Sequence, residues 1–285
     1  MDAYKLAFEK KYPEVEVNVY RAISGEVLTK LKTEKEAQQV SVDVVWVADF
    51  SSANSLKELD LLAKYDSAEG AAIDPAFKDS EGYYYGSRII NMVLQTAIQA
   101  PDSWKDLLSP EFFGQVGLPG VSSGSAFQFI GVLAGNVDFG WDYFRELKAN
   151  GGMQFKANKD VLQWIATGEI LAGPVLDYMV TDMKKQGFPV DFVIPTEGAV
   201  AVASPIAILN DCKSPELAAL FIEYTLSQEG QELLVSMNTT PVRKGIETPD
   251  DVLSLDDITV MAENKEYLSG NTSEIKETFQ SIFSE

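Results

Sequence analysis

Residues 14–49, EVEVNVYRAISGEVLTKLKTEKEAQQVSVDVVWVAD, change their hydrophobic period twice. EVEVNVY at 14–20 alternates with period two, as a half-buried strand does. After RAISGE, Val27, Leu28 and Leu31 fall on one helical face, and the pattern holds through about Lys35. VDVVWVAD at 42–49 is a short apolar run of the kind buried in a parallel sheet. This β-α-β order predicts an α/β chain with an open parallel sheet. Ligands of such sheets collect just beyond the carboxyl ends of the strands. Three loops meet that rule: RAISGE, ADFSS, and the SSGSA that follows GQVGLPG.

Working outward, DAYKLAFEKK at 2–11 reads as an amphipathic helix. GYYYGSRIINMVLQ at 82–95 is an extended segment long enough to pass from one domain into another. A second α/β unit is expected over 101–195, with PDSWKDLL and GWDYFRELKANG as helices and GEILAGPV and VDFVIP as strands. GAVAVASPIAIL at 198–209 has the character of a strand returning to the first unit, and the remainder is mainly helical. Two crossings imply two lobes joined by a hinge, with a ligand cleft between them. The expected first lobe is 1–90 plus 198–245, the second is 91–197, and 246–285 is a C-terminal helical segment packed on the lobes.

Composition removes several classes of function. The 285 residues carry 43 acidic and 23 basic side chains for a net charge of −20, which repels nucleic acid and anionic membrane surfaces. There is no histidine, so Ser-His-Asp relays, Cys-His relays and His-ligated zinc are all excluded. No GxxxxGK[ST] or GxGxxG loop is present. An enzyme would have to work with carboxylate, tyrosine or lysine. Cys212 is the only cysteine, which excludes an internal disulfide, and a buried apolar thiol is the expectation for it. No apolar run of about 18 residues spans a bilayer, and no basic-then-apolar leader opens the chain, so any export signal is expected to precede residue 1.

FEKKYPEVEVNVYRAISGEVLTKL, DVVWVAD, APDSWKDLLSPEFFGQVGLPG, SSGSAFQFIGVLAG, GEILAGPVLDY and LSQEGQELL together resemble the solute-binding proteins of bacterial ABC importers. The resemblance points to the branch that includes ferric-ion, thiamine, 2-aminoethylphosphonate and hexose-phosphate binders. Matching blocks run in the expected order through nearly all of the chain. The resemblance implies a two-lobed periplasmic-binding-protein fold that closes over a small anionic solute, no cofactor and no covalent step. It further implies a periplasmic or lipid-anchored extracellular monomer that delivers its solute to an ABC permease. Family members usually open with a strand before the helix that DAYKLAFEKK resembles. Here the first residues are already that helix, so either the chain is trimmed or its first sheet is completed another way.

Several residues are candidates for the ligand site. Ser123, Gly124 and Ser125 stand in front of an apolar helix, where unpaired backbone N–H groups and about half a positive charge attract anions. The alternative is that Ser123 or Ser125 caps its own helix. In relatives this loop matches an anion-contacting Ser-Gly segment. Ser24 and Gly25 lead a second such helix, with Glu26 complementing its dipole. Solvent screens distant charge beyond about 8 to 10 Å, so net charge does not prevent anion binding at such points. Arginine occurs only four times, and Arg21 and Arg88 lie where a cleft would be. Guanidinium suits bidentate recognition of phosphate, with a carboxylate-paired surface role as the alternative. Arg145 belongs to an ordinary amphipathic helix.

Asp49 ends an apolar strand and is either a helix cap or a solute contact. Asp177 and Tyr178 match positions where relatives place ligand residues, and Glu197 lies at the return crossing. Ferric iron is the competing ligand, with Asp49, Asp177 and Tyr178 as oxygen donors. Tyr83, Tyr84 and Tyr85 match a strand that is aromatic across the family, and packing is their expected role. A carboxylate hydrolase using Asp49 and Asp177 is the third alternative.

Overall fold

The computed structural model describes residues 2–96, 101–256 and 258–284. The chain forms two compact units, Met1–Ile89 with Ala203–Pro249, and Ile90–Val202 with Asp250–Glu285.

In the first unit, α1 (Asp2–Lys11) inserts Tyr4 and Phe8, both fully buried, against Phe221 and Tyr224. Next come α2 (Ser24–Glu36), β1 (Val44–Trp46) and α3 (Phe50–Glu58). The strand β2 (Tyr85–Thr96) begins here and continues into the second unit. Tyr84 and Tyr85 are 6% exposed and spend their hydroxyls on Asn54 Oδ1 and Tyr65 O, each at 2.7 Å, so they are packing residues.

In the second unit, β3 (Gly117–Pro119) leads to α4 (Gly124–Ala134), followed by α5 (Gly140–Ala149). The short β4 (Met153–Phe155) leads to α6 (Asn158–Ala166), and β5 (Ala172–Leu176) runs directly into α7 (Asp177–Lys185). Then come β6 (Asp191–Val193) and β7 (Val200–Ile208), which returns the chain to the first unit. There α8 (Pro215–Leu226) and α9 (Gln228–Ser236) follow, while α10 (Lys265–Gly270) and α11 (Thr272–Ser284) belong to the second unit. PDSWKDLL forms a 3-10 turn over Trp104–Leu108 rather than an α-helix. Its Trp104 is fully buried, and the ring meets Phe129 of α4 edge-on with centroids 4.8 Å apart, worth about 0.5–1.5 kcal/mol beyond burial.

The parallel sheet expected from the β-α-β order is found only in part. β1 pairs antiparallel with β7, because its hydrogen-bonded neighbour is the returning strand and not the next strand through a crossover helix. β2 is likewise antiparallel to β5 on one side and to β6 on the other. The parallel pairing lies in the second unit, where Gly117, Leu118 and Pro119 of β3 face Met153, Gln154 and Phe155 of β4. A parallel bridge, Val116 to Ala172, joins β5 to the same group. Gly173 is required at that junction, since a Cβ there would lie 2.2 Å from Gly117 O.

Residues 14–20 do not form a strand. Val15 is buried and Val17 is half-buried against the same aromatic cluster as Trp46, while Val19 is exposed, so the alternation marks a packing face only in its first half. Among the described residues no strand pairs with this segment, and the Val17 N–H goes instead to Glu9 Oε1 at 2.8 Å. Cys212 also departs from expectation. It is half-buried rather than fully buried, and its thiol donates to Asp43 Oδ1 at 3.2 Å. Burial and that carboxylate push the thiol up to about 11.

Candidate functional site

Three strands of the second unit that run in one direction each hand the chain to a helix. β3 leads through residues 120–123 to α4, β4 through 156–157 to α6, and β5 directly to α7. The carboxyl ends of the strands therefore present the N-termini of helices, the place where α/β sheets bind ligands. Residue 120 must be glycine for the first of these turns to close, because a Cβ would lie 2.9 Å from Phe155 O at the end of β4.

Ser123 is the N-cap of α4 by backbone geometry (φ −80°, ψ 129°), yet its side chain makes no cap hydrogen bond to its own helix. The hydroxyls turn elsewhere. Asn158, the first residue of α6, donates its side-chain amide to Ser125 Oγ at 2.9 Å and to Ser123 Oγ at 3.3 Å. The two hydroxyl oxygens lie 3.3 Å apart. All three side chains are buried, with 8, 1 and 6% exposure for Ser123, Ser125 and Asn158. Because both oxygens accept from Asn158, the contact between the two serines uses at most one of their hydroxyl hydrogens. No acidic residue occupies the first turn of α4. In α6 the first-turn Asp160 is committed to the Ala157 N–H at 3.0 Å.

At α7, Asp177 is 2% exposed and its carboxylate receives three protein donors. They are Asn91 N at 3.0 Å, Asn91 Nδ2 at 2.7 Å and Tyr178 N at 2.8 Å. Tyr178 is partly buried against the main core cluster of this unit. Glu197 stands elsewhere in the unit, where it accepts from Ser103 Oγ and from Trp104 N and braces the 3-10 turn.

In the first unit, Ser24 opens α2 and accepts the Ala48 N–H on its Oγ at 3.4 Å, which brings the starts of α2 and α3 together. Gly25 follows it, and its carbonyl accepts from Thr29 Oγ1 at 2.8 Å. Asp49 caps α3, accepting from Ser52 N at 2.9 Å and Ser52 Oγ at 2.7 Å. The Arg21 side chain is 55% exposed, 3.9 Å from Asp2 Oδ1. Arg88 lays its guanidinium over the Trp46 ring at 5.5 Å. Arg145, on the outside of α5, pairs with Asp142 at 2.7 Å.

The structure thus joins Ser123 with Ser125, and Ser24 with the turn before Asp49. The carboxylates of Asp49, Asp177 and Glu197 all have protein donors. Asn158 and Asn91 are the members that sequence reading missed: each makes its decisive contact across at least 33 residues, and no local pattern marks it. Among the described residues no group of three His, Cys, Asp or Glu side chains is gathered as metal donors.

Residues 3–259 match the family described as bacterial extracellular solute-binding protein. The chain belongs to that family. A relative of this solute-binding protein, an uncharacterised protein of Haemophilus influenzae, is 29% identical over 246 residues, which cover 80% of this chain and 69% of the relative. Among solved structures, the periplasmic binding protein AfuA of Actinobacillus pleuropneumoniae, with fructose-6-phosphate bound, superposes with a TM-score of 0.89. It is 23% identical, and the match covers 99% of this chain and 94% of that one. Iron-bound HitA of Pseudomonas aeruginosa matches at a TM-score of 0.85 and 21% identity, over 99% and 94% of the two chains. The two-lobed periplasmic-binding-protein fold is therefore the fold of this solute-binding protein. No helix among its described residues is long and apolar enough to cross a membrane.

Proposed function

We propose that this solute-binding protein captures a small phosphate- or phosphonate-bearing solute outside the cytoplasm and passes it to the permease of an ABC importer. The supporting observation is the Asn158 bridge. It draws the Ser123 and Ser125 hydroxyls away from capping α4 and sets the starts of α4 and α6 side by side. Two helix N-termini then offer backbone N–H groups and partial positive charge to one oxyanion, with a seryl hydroxyl as a further donor. Each charge-assisted hydrogen bond to the anion contributes about 1.5–3 kcal/mol, enough for a few of them to set the affinity. Arg21, Ser24, Gly25 and Arg88 of the first unit are the further solute contacts of this proposal, and the solute-bound form is the one the permease reads. The protein binds its solute as a monomer and transforms nothing.

The carboxylates at Asp49 and Asp177 are each engaged by protein donors at the start of a helix, which weighs against their use as iron ligands or as a hydrolytic pair. The deciding experiment is a thermal-shift screen of inorganic phosphate, sugar phosphates, 2-aminoethylphosphonate, thiamine and ferric salts, followed by calorimetry. A phosphorus oxyanion at a hundredfold excess over Kd should stabilise the protein by about 2.7 kcal/mol and be recovered unchanged. If only ferric salts stabilise it, and a visible tyrosinate band appears that Tyr178→Phe abolishes, the solute is iron and this reading fails. Consumption of the stabilising compound would make the protein a hydrolase.

A further inference from the structure

The ladder between β2 and β5 runs from Thr96 opposite Ala172 to Met92 opposite Leu176. The next pair in register is Asn91 opposite Asp177, the residue at which β5 gives way to α7. There the backbone acceptor of the ladder is replaced by a side chain. The Asn91 N–H donates to Asp177 Oδ1 at 3.0 Å, and Asn91 Nδ2 donates to Asp177 Oδ2 at 2.7 Å. The same Oδ1 accepts the Tyr178 N–H at 2.8 Å. Asn91 is 0% exposed and Asp177 2%. One buried carboxylate therefore ends a strand ladder, satisfies a first-turn N–H of a helix, and ties both to β2.

The location of the tie gives it significance. β2 leaves the first unit at Ile89, so Asn91 is the second residue of the second unit. The strand that carries the chain between units is thereby hydrogen-bonded to the first turn of the helix bearing Tyr178. A buried carboxylate with charge-assisted donors is also hard to rearrange, since removing one partner leaves an unpaired buried charge. The Tyr178 N–H is satisfied inside the protein, in contrast to α4, whose cap hydroxyl leaves its own helix uncapped.

We infer that Asn91 is a positioning residue of the solute site: through Asp177 it fixes the first turn of α7 and with it Tyr178, so that the solute meets a preorganised wall while its oxyanion is held at α4 and α6. This rests on the reading given under Proposed function, and the test separates the two.

Two measurements decide it. Without any ligand, hydrogen–deuterium exchange followed by mass spectrometry on peptides covering 177–180 should rise at least tenfold in Asn91→Ala, while peptides from α4 keep their wild-type rates. With inorganic phosphate and 2-aminoethylphosphonate as calorimetric probes, Asn91→Ala should bind about tenfold more weakly. Asn91→Asp should be worse, because two carboxylates would then meet at hydrogen-bond distance. The exchanged pair Asn91→Asp with Asp177→Asn restores one amide and one carboxylate in contact. It should recover affinity to within about threefold of wild type and return exchange at 177–180 to the wild-type rate. That recovery is specific to the pair, and the exchanged variant also serves if Asn91→Ala does not fold. Wild-type exchange at 177–180 in Asn91→Ala, or failure of the exchanged pair to recover while folded, overturns the inference. If the wild type binds neither probe, the functional proposal falls, and the exchange measurements alone decide the role of Asn91.

Discussion

Asn158, the first residue of α6, donates its side-chain amide to Ser125 Oγ of α4 at 2.9 Å and to Ser123 Oγ at 3.3 Å. A residue that begins one helix thus fixes the opening turn of another. Hydroxyls at a helix start ordinarily accept from their own N–H groups two or three residues on. The amide of Asn158 holds them in a different orientation, and the first N–H groups of α4 have no intrahelical acceptor.

Replacing Ser123 and Ser125 together with alanine should therefore weaken oxyanion binding by about 1.5–3 kcal/mol, roughly ten- to a hundredfold in Kd. Stability should fall as well, by about 1–3 kcal/mol, not through a lost cap but because the buried Asn158 amide loses both of its acceptors. Asn158→Ala should cost affinity to a similar extent and stability as well, since the amide is 6% exposed and its partners lose a buried donor. Calorimetry alongside urea denaturation separates the two effects. Unchanged affinity in the double serine variant would remove this loop from the site.

The helices were the legible part of the fold. The period at 2–11 and the Val27, Leu28, Leu31 face correspond to α1 and α2, and the apolar run at 42–49 contains β1. The alternation at 14–20 misled because period two reports which side chains are buried, whereas a strand also requires a neighbour for its backbone groups. Strand direction was illegible for a related reason. β1 pairs with β7, more than 150 residues later, and no local signal specifies that partner. In the site, the small-residue cluster at 123–125 announced a helix start. What the hydroxyls do there depends on Asn158, whose contact is made only once β3 and β4 lie parallel.

Gly173→Ala should damage both fold and site. An added Cβ would fall 2.2 Å from Gly117 O and 2.9 Å from Val161 Cγ1. The first contact is with backbone, so no rotamer change relieves it, and β5 must move off β3. Overpacking of this kind costs about 1–3 kcal/mol or more. Because β3 leads to α4 and β5 to α7, the displacement should also weaken solute binding. A variant with wild-type thermal stability would show that the contact between these strands is looser than described.

Arg21 and Arg88 of the first unit should behave differently. Arg21 is half-exposed and lies 3.9 Å from Asp2, a pairing worth little at the surface. Arg21→Ala should leave stability within about 0.5 kcal/mol of wild type. It should weaken binding of a phosphorylated solute by about 1.5–3 kcal/mol if the guanidinium meets the phosphate. Arg88 stacks on Trp46, so Arg88→Ala should reduce stability as well. Arg88→Lys should keep the charge but lose the planar contact. Wild-type affinity in both alanine variants would exclude these residues from the site.

Acid stability should depend on Glu223. Burial acts to raise its carboxyl, but donors from Tyr65 Oη at 2.6 Å, Glu69 N at 2.9 Å and Ala68 N at 3.1 Å outweigh it and hold the group below the usual carboxylate range. A folded value below the unfolded one means the unfolded chain binds the proton more readily. The stabilisation is therefore complete above the unfolded carboxylate value, about 4.3, and is lost as pH falls through the lower folded value. Glu223→Gln cannot titrate. Its denaturation free energy should lie below the wild-type value at pH 7, and the gap should narrow as pH drops below about 4. Equal pH dependence in the two proteins would mean that this carboxylate, for all its donors, does not hold the 65–69 turn to α8.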